Sequence, residues 1–307
     1  MKAFYTDHFV LPLPEGHRFP MAKYSMVREQ VGKLAGLELI EAPPASDTEL
    51  LVAHDPVYLQ RVITGTLAPQ AQREIGFPWS PGMVERSRRS VGATIAAAEL
   101  ALKERISVNL AGGTHHAYRD KGSGFCVFND AAIAARMMQR RHGIKRVAII
   151  DLDVHQGNGT ASILKRDPSV FTLSIHGEKN FPFRKEPSDL DVGLADGCTD
   201  EQYLDALERA LTELSRRFEP ELLVYLAGAD PHEADRLGRL KLSFEGLRAR
   251  DQRVFDFARS LDVGVAVTMA GGYGTDINNT VRVHVQTIEC ALDYWHSMNT
   301  KHLETPL

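Results

Sequence analysis

The sequence predicts an α/β fold, a parallel sheet with helices on both faces. Short apolar runs typical of buried strands alternate along the chain with longer amphipathic runs typical of helices. Such alternation is characteristic of β-α-β units, which build parallel sheets covered on both faces. Several apolar runs also end in polar or glycine-rich segments, and ligands bind such sheets at the carboxyl ends of their strands.

Seven strands and five helices are predicted in chain order. The strands are residues 2–5, 37–41, 106–110, 147–151, 170–175, 222–227 and 263–270. The helices are residues 81–104, 130–142, 199–218, 243–260 and 276–294. The Pro-rich patches 12–20, 78–81 and 182–187 are predicted to be ordered loops around a site.

Composition limits the class of protein. The chain has 307 residues, 43% hydrophobic and 25% charged, and we predict one domain over residues 1–307. No apolar run could span a bilayer and no secretory signal opens the chain, so a cytoplasmic protein that does not bind membranes is expected. Three cysteines without a CxxC pair support neither disulfides nor a cysteine zinc site. A net charge of −4 argues against direct nucleic-acid binding, and the basic stretches 86–89 and 136–146 are interpreted as solvated helix faces.

Two adjacent histidines, His115 and His116, follow a Gly-Gly turn in LAGGTHHAYRDKGSGFCVFND. Neighbouring side chains diverge on a strand or helix, so both cannot enter one core, and a loop at a strand end is expected. Two surface histidines would give the same local pattern. The other strand ends therefore decide between the two interpretations.

Three further apolar runs end in polar or glycine-rich groups. In VAIIDLDVHQGNG, Asp151, Asp153 and His155 alternate with apolar residues and project from one face of an extended segment. Buried carboxylates without a counter-ion are costly, which favours a bound cation. LLVYLAGADPH leads to Asp230, and VGVAVTMAGGYG leads to Tyr273. Each segment alone could be a buried strand with a solvated end, but four such ends together indicate a catalytic site.

These four segments resemble the zinc-dependent histone deacetylase family, which includes bacterial acetylpolyamine amidohydrolases and acetoin-utilisation proteins. The opening LPLPEGHRFPMAKYSMV, the block GFPWSPGMVERS and the stretch GADPHEADRLGRLKLS resemble its class IV branch most, and a bacterial member is expected. The resemblance implies a single-domain, arginase/deacetylase-like three-layer sandwich. Its central, mainly parallel sheet would have about eight strands flanked by helices.

A catalytic metal site is predicted from Asp153, His155 and Asp230, which match the family's ligands. Two carboxylates and one imidazole leave room for water and substrate, as a catalytic Zn²⁺ requires. Such a ligand set also suits Fe²⁺. The resemblance further implies a structural K⁺, which would be held by Asp151, Asp153, His155, Ser174 and Ile175.

The catalytic roles follow from the same resemblance. His116 would be the general base and then the general acid, and His115 its electrostatic partner, oriented by Asp151. Asn158 would support His116, where some relatives use an aspartate. Tyr273 would donate a hydrogen bond to the developing oxyanion. The residues expected to contact substrate are Gly124, Phe125, Phe181, Leu237, Gly271 and Gly272.

The resulting hypothesis is a metal-dependent deacetylase or deacylase acting on the ε-amine of lysine in proteins or peptides. Hydrolysis of acetylpolyamines or other small acyl-amines is the alternative within the family. A ureohydrolase with two Mn²⁺ ions and a non-catalytic acyl-lysine binding protein are the alternatives outside it. Acyl-chain length and oligomeric state stay open.

Overall fold

Eight strands form one continuous sheet through the centre of the protein. The computed structural model describes residues 1–300, with side chains through residue 298. The strands are β1 Lys2–Tyr5, β2 Glu38–Glu41, β3 Ile106–Asn109, β4 Val147–Asp151, β5 Val170–Gly177, β6 Leu190–Leu194, β7 Leu222–Leu226 and β8 Gly264–Thr268. Their order is β2-β1-β3-β8-β7-β4-β5-β6, and each neighbouring pair is parallel.

Ten helices are described, and they cover both faces of the sheet. They are α1 Lys23–Val31, α2 Asp47–Leu50, α3 Pro56–Thr64, α4 Pro69–Ile75, α5 Pro81–Glu104, α6 Asp130–His142, α7 Asn158–Leu164, α8 Asp200–Arg217, α9 Phe244–Leu261 and α10 Ile277–Thr300. Helix α5 begins where Ser80 caps the first turn and Pro81 supplies a fixed φ. Helix α6 begins at an Asn129 cap and is followed by Gly143 at φ 68°.

The apolar core lies in two clusters, one on each face of the sheet. Successive strand residues point to opposite faces, so Ile150 and Tyr225 belong to the cluster with α8, α9 and α10. Ile149 and Val224 belong to the other cluster, with α5 and α6. Because both faces are covered, β4 and β7 are continuous apolar runs and do not alternate with polar residues.

The predicted fold class is confirmed: an α/β three-layer sandwich with an eight-stranded, parallel sheet. The seven predicted strands are present, but β6 was not predicted. It is an edge strand whose residues alternate between half-buried and exposed, and its sequence LDVGL resembles a loop. Helices α1 to α4 and α7 were also not predicted, because each has nine residues or fewer. Residues 301–307 of the predicted domain lie outside the described residues.

Candidate active site

The four motif-bearing strands are neighbours in the sheet, in the order β3-β8-β7-β4. All four are parallel, so their carboxyl ends meet at the same edge. The segments that follow them line a cavity of about 800 Å³, and His115, His116, Asp153, His155 and Tyr273 are in its wall. The structure thus brings the four motif segments together at one cavity.

Asp153, His155 and Asp230 bring one ligand atom each to within 4.8 Å of one another, and all three are buried. His155 Nδ1 lies 2.9 Å from Asp153 Oδ1 and 3.2 Å from Asp230 Oδ2. Burial lowers the pKa of His155, but the two carboxylates outweigh burial and raise it to about 10. A negative potential of this strength attracts a cation.

The surroundings of the ligand group fit a metal ion. Asp230 Oδ2 is buried, and apart from the 3.2 Å approach of His155 Nδ1 it has no hydrogen-bond partner among the described residues. Gly271 leaves the space open, since an added Cβ would lie 2.0 Å from Asp230 Oδ2 and 2.5 Å from Asp153 Oδ2. The other oxygen of each carboxylate accepts a backbone hydrogen bond. Val154 N–H donates to Asp230 Oδ1 at 2.9 Å, and His155 N–H donates to Asp153 Oδ1 at 2.9 Å. Two carboxylates and an imidazole suit a divalent ion such as Zn²⁺ or Fe²⁺.

The histidine pair lies beside this group, with the two rings 4.1 Å apart. His115 Nδ1 donates to Asp151 Oδ2 at 2.6 Å, and the charges of Asp151 and Asp153 outweigh the effect of burial and raise the pKa of His115 to about 9. His116 Nδ1 donates to Asn158 Oδ1 at 2.7 Å. Burial and the nearby charges of His115 and His155 hold the pKa of His116 well below its usual value, so its ring is neutral and Nε2 accepts.

Tyr273 also lines the cavity, and its ring centre lies 6.4 Å from that of His155 and 6.1 Å from that of Phe125. Its N–H donates to Asp235 Oδ2 at 2.6 Å, and its carbonyl accepts from Arg236 Nε at 3.0 Å. These bonds fix the backbone that carries the ring. Burial and the charge of Asp230 raise the pKa of the Tyr273 hydroxyl well above its usual range, so it is a donor at neutral pH.

Aromatic rings form the cavity wall towards solvent. Phe125 is half-buried at φ 66°, and Phe181 is 36% exposed, with its ring 4.9 Å from that of His116. Gly124 and Leu237 also line the cavity. A Cβ at Gly124 would lie 2.7 Å from His116 Cδ2.

Gly272 lies behind this wall, unlike Gly271, which lines it. Gly272 has a φ of 149°, and a Cβ added there would lie 2.5 Å from Thr280 Cγ2, so only glycine fits at this position. Its carbonyl faces the buried Lys23, whose Nζ lies 3.5 Å away.

The residues predicted to hold K⁺ converge behind His115. Asp151 and Ser174 are register partners on β4 and β5, and Ile175 follows on β5. All are buried. Asp153 N–H donates to Asp151 Oδ1 at 3.2 Å, and Ser174 Oγ lies 2.9 Å from His176 Nδ1. The K⁺ site stays a prediction.

Two buried cations of the cavity wall were missed by the sequence analysis. Lys23 Nζ donates to Ala270 O at 3.3 Å and lies 5.6 Å from the centre of the Tyr273 ring. The interpretation of residues 86–89 as a solvated face is wrong for Arg86, which is 8% exposed and stacks 4.7 Å from the Tyr24 ring. The sequence could have indicated this, because Arg86 lies two helical turns before the buried Ala93 and therefore on the same face of α5.

Comparison with known proteins agrees with this geometry. The Histone deacetylase domain family matches residues 17–288. An uncharacterized protein of Picosynechococcus is 43% identical over 95% of this chain and 98% of its own. The relative named Histone deacetylase 2, of Arabidopsis thaliana, is 34% identical over 89% of this chain and 73% of its own. The Histone deacetylase-like amidohydrolase of Pseudomonas aeruginosa is 34% identical over 79% of this chain and 68% of its own.

A solved structure extends the agreement to three dimensions. The HDAC homolog from Aquifex aeolicus superposes with a TM-score of 0.81 and 26% identity, over 94% of this chain and 83% of its own. In the part of the chain that the structure describes, no helix is long and apolar enough to cross a membrane. The family match over residues 17–288 and the two relatives at 34% identity establish that this chain belongs to the histone deacetylase domain family, whose members are metal-dependent amide hydrolases.

Proposed function

We propose that the chain is a metal-dependent deacylase that removes acyl groups from the ε-amine of lysine in peptides or proteins. The observation that carries the proposal is one cavity in which a buried Asp-His-Asp group faces a neutral histidine and a buried tyrosine. The relatives named histone deacetylase and deacetylase-like amidohydrolase support the same reaction class.

Asp153, His155 and Asp230 would hold the divalent ion, with Zn²⁺ or Fe²⁺ as the candidates. When bound, such an ion polarises an amide carbonyl and lowers the pKa of a water molecule. His116 takes the proton from the attacking water at Nε2 and returns it to the leaving amine, because Asn158 holds the opposite ring nitrogen as a donor. Asp151 fixes the orientation of His115, which stands beside that ring.

Tyr273 donates its hydroxyl proton in a hydrogen bond to the carbonyl oxygen as negative charge develops there. Phe125 and Phe181 grip the methylenes of the lysine side chain, with Gly124, Leu237 and Gly271 shaping the rest of the passage. Gly272 contributes the loop path that lets Tyr273 reach the cavity. Support for a structural K⁺ comes from the convergence of Asp151, Ser174 and Ile175 behind His115.

We also propose that residues 1–307 form one catalytic domain, since both apolar clusters share a single sheet. A bacterial origin and the class IV branch are proposed from the GADPHEADRLGRLKLS segment, which supplies Asp230 and the Asp235 that fixes Tyr273. A cytoplasmic location is proposed because the three cysteines are free thiols.

The test is hydrolysis of one lysine peptide that carries acetyl, octanoyl or myristoyl, with acetylputrescine alongside. Protein loaded with Zn²⁺, loaded with Fe²⁺ and stripped by a chelator is compared. We expect metal-dependent release from a lysine peptide and one bound divalent ion per chain, since one group of metal-type ligands is found among residues 1–300. Release from acetylputrescine alone, or two bound Mn²⁺ ions, would contradict the proposal.

A further inference from the structure

The mouth of the catalytic cavity is surrounded by positive charge. Seven of the residues that line the cavity are Lys or Arg. Lys23 and Arg86 are buried, and Arg239 pairs with Asp196 at 3.1 Å. The remaining four are exposed, and we call them the mouth cations: Arg18, Arg73, Lys121 and Lys179.

The mouth cations come from four separate segments. Arg18 lies between β1 and α1, Arg73 on α4, Lys121 between β3 and α6, and Lys179 just after β5. A row of cations on one helix is usually a solvated face. Here the fold brings isolated cations from distant parts of the chain to one opening, within reach of a molecule bound in the cavity.

Carboxylates offset only part of this charge, because the lining has one exposed acidic residue, Glu74, against the four mouth cations. The acidic residues of the cavity lining are Glu74 and Asp153, and Asp153 belongs to the buried ligand group. Within residues 1–300, none of the mouth cations has a carboxylate within ion-pair distance; the Lys121 ammonium lies 4.6 Å from the centre of the Tyr118 ring. Asp120 and Glu178 are exposed next to mouth cations in sequence, but they lie outside the lining.

The charge at the mouth of the cavity is positive, whereas the net charge of the whole chain is −4. A cleft lined by charges of one sign concentrates the field in its opening and raises the local concentration of ligands with the opposite charge. The exposed aromatic rings of Phe181 and Phe183 lie at the same opening. An apolar acyl-lysine side chain in an acidic sequence would match both features.

We propose that the mouth cations select acyl-lysine substrates with acidic flanking residues and disfavour cationic acyl-amines such as acylated polyamines. This inference rests on the proposed deacylase function and adds its substrate class. The expected discrimination is about tenfold in kcat/KM between acidic and basic peptides, because each exposed charge pair contributes only modestly. It should decrease with added salt, because the Debye length falls from about 10 Å at 0.1 M to a few ångströms at 1 M.

The experiment uses three peptides with the same acyl-lysine at the centre and Asp, Gln or Lys at the two positions on each side. Zinc-loaded enzyme is assayed with each peptide and with acetylputrescine, in low-salt buffer and in 0.5 M NaCl. We expect kcat/KM to follow Asp over Gln over Lys, with acetylputrescine below the Gln peptide. The order should weaken strongly in 0.5 M NaCl.

Two matched double variants test whether the peptide preference depends on the mouth cations or on the net charge of the chain. In the double variant Arg73→Gln/Lys179→Gln, we expect the preference for the Asp peptide to fall severalfold, mainly through KM. The control Arg140→Gln/Lys145→Gln removes the same charge from exposed positions near the amino end of β4, and the preference should be unchanged. The exchange Arg73→Lys/Lys179→Arg alters the same two side chains but keeps both positive charges, so it should keep the preference for the Asp peptide. That result would show that the glutamine variant loses the preference through its lost charge and not through a structural change.

The outcomes distinguish this inference from the proposed function. If no acyl-lysine peptide is hydrolysed, the deacylase function itself fails. If all three peptides are hydrolysed equally at low salt, or the control variant loses as much preference as the mouth variant, the inference is wrong and the deacylase function stands. Stronger inhibition by a single-stranded oligonucleotide than by the unacylated Asp peptide would assign the mouth to nucleic acid and overturn the inference.

Discussion

Tyr273 offers the sharpest test at the scale of one residue, because its backbone is held independently of its hydroxyl. Asp235 accepts from the Tyr273 N–H, and Arg236 donates to its carbonyl, so Tyr273→Phe should keep the ring in place. Loss of an oxyanion donor costs about 10²- to 10³-fold in turnover. We therefore expect kcat to fall by about 10²-fold or more with unchanged Zn²⁺ affinity, measured by steady-state kinetics and by competition with a chelating dye.

Tyr294→Phe is the matched control. Its hydroxyl is buried on α10, away from the cavity lining, and has no hydrogen-bond partner among the described residues. Turnover should stay at the wild-type level in this variant. Equal turnover of Tyr273→Phe and wild type would remove Tyr273 from the reaction.

His54 is a buried histidine that must be neutral in the folded protein. Its Nε2 accepts from the Asn129 N–H at 2.9 Å, and its Nδ1 donates to Arg119 O at 3.3 Å. Burial lowers its pKa from 6.5 to about 4. Between these two values the unfolded chain binds a proton at His54 that the folded chain does not, so stability falls as the pH falls.

We expect His54 to account for about 2 kcal/mol of the loss in unfolding free energy between pH 7 and pH 5. Urea unfolding of wild type and of His54→Gln at both pH values measures this quantity. The variant should be less stable at pH 7 but should lose less stability on acidification. The same pH dependence in both proteins would show that His54 does not titrate in this range.

The proximity of Asp153, His155 and Asp230 was predictable because each residue closely follows an apolar strand. His54 and Arg86 were not, because their burial depends on partners far away in sequence. His54 needs Asn129, 75 residues later, and Arg86 packs on Tyr24, on another helix. No local pattern contains that information.

At the scale of elements, α9 holds the ends of two catalytic strands together. The Arg250 guanidinium donates to Gly228 O at 2.6 Å and to Leu152 O at 3.3 Å, just after β7 and β4. Its charge is paired with Asp251 at 2.8 Å, and both side chains are fully buried. The segments that carry Asp153 and Asp230 are thereby connected by one side chain.

Replacing Arg250 by Met should cost about 3–5 kcal/mol of unfolding free energy, because it leaves the Asp251 carboxylate buried without its cation. The double variant Arg250→Met/Asp251→Asn removes that charge and keeps one acceptor oxygen for the Tyr225 hydroxyl, while the amide nitrogen faces Thr287 Oγ1, which retains Val283 O as its acceptor. We expect it to be more stable than the single variant in urea unfolding, and both to bind Zn²⁺ more weakly. A single variant within 1 kcal/mol of wild type would contradict this account.

The strands in the interior of the sheet were all predicted, and of the two edge strands β2 was predicted and β6 was not. Central strands such as β4 and β7 are buried on both faces, so hydrophobicity alone identifies them. Strand β6 is held by pairing with β5, and two of its five residues are exposed. Its short, mixed sequence carries no comparable signal, since pairing with a neighbour is a tertiary interaction.

At the scale of the whole molecule, the proposed ligand group predicts that metal binding is coupled to folding. Asp153 follows β4 and Asp230 follows β7, so the unfolded chain does not hold the two carboxylates together. Burial and the charge of Asp153 raise the pKa of the Asp230 carboxyl, so the folded chain carries an electrostatic cost that a divalent ion offsets. Zn²⁺ at about 100 times its dissociation constant should add about 2.7 kcal/mol to the unfolding free energy.

Urea unfolding with Zn²⁺ and with a chelator measures this increment without any assay of activity. Asp230→Asn should abolish most of it, because the variant loses one charged ligand while keeping the side chain's shape. Glu15→Gln, an exposed change of the same charge outside the cavity lining, should keep the full increment. If Asp230→Asn were stabilised by Zn²⁺ as much as wild type, the metal would be bound elsewhere, and the assignment of the three ligands would be wrong.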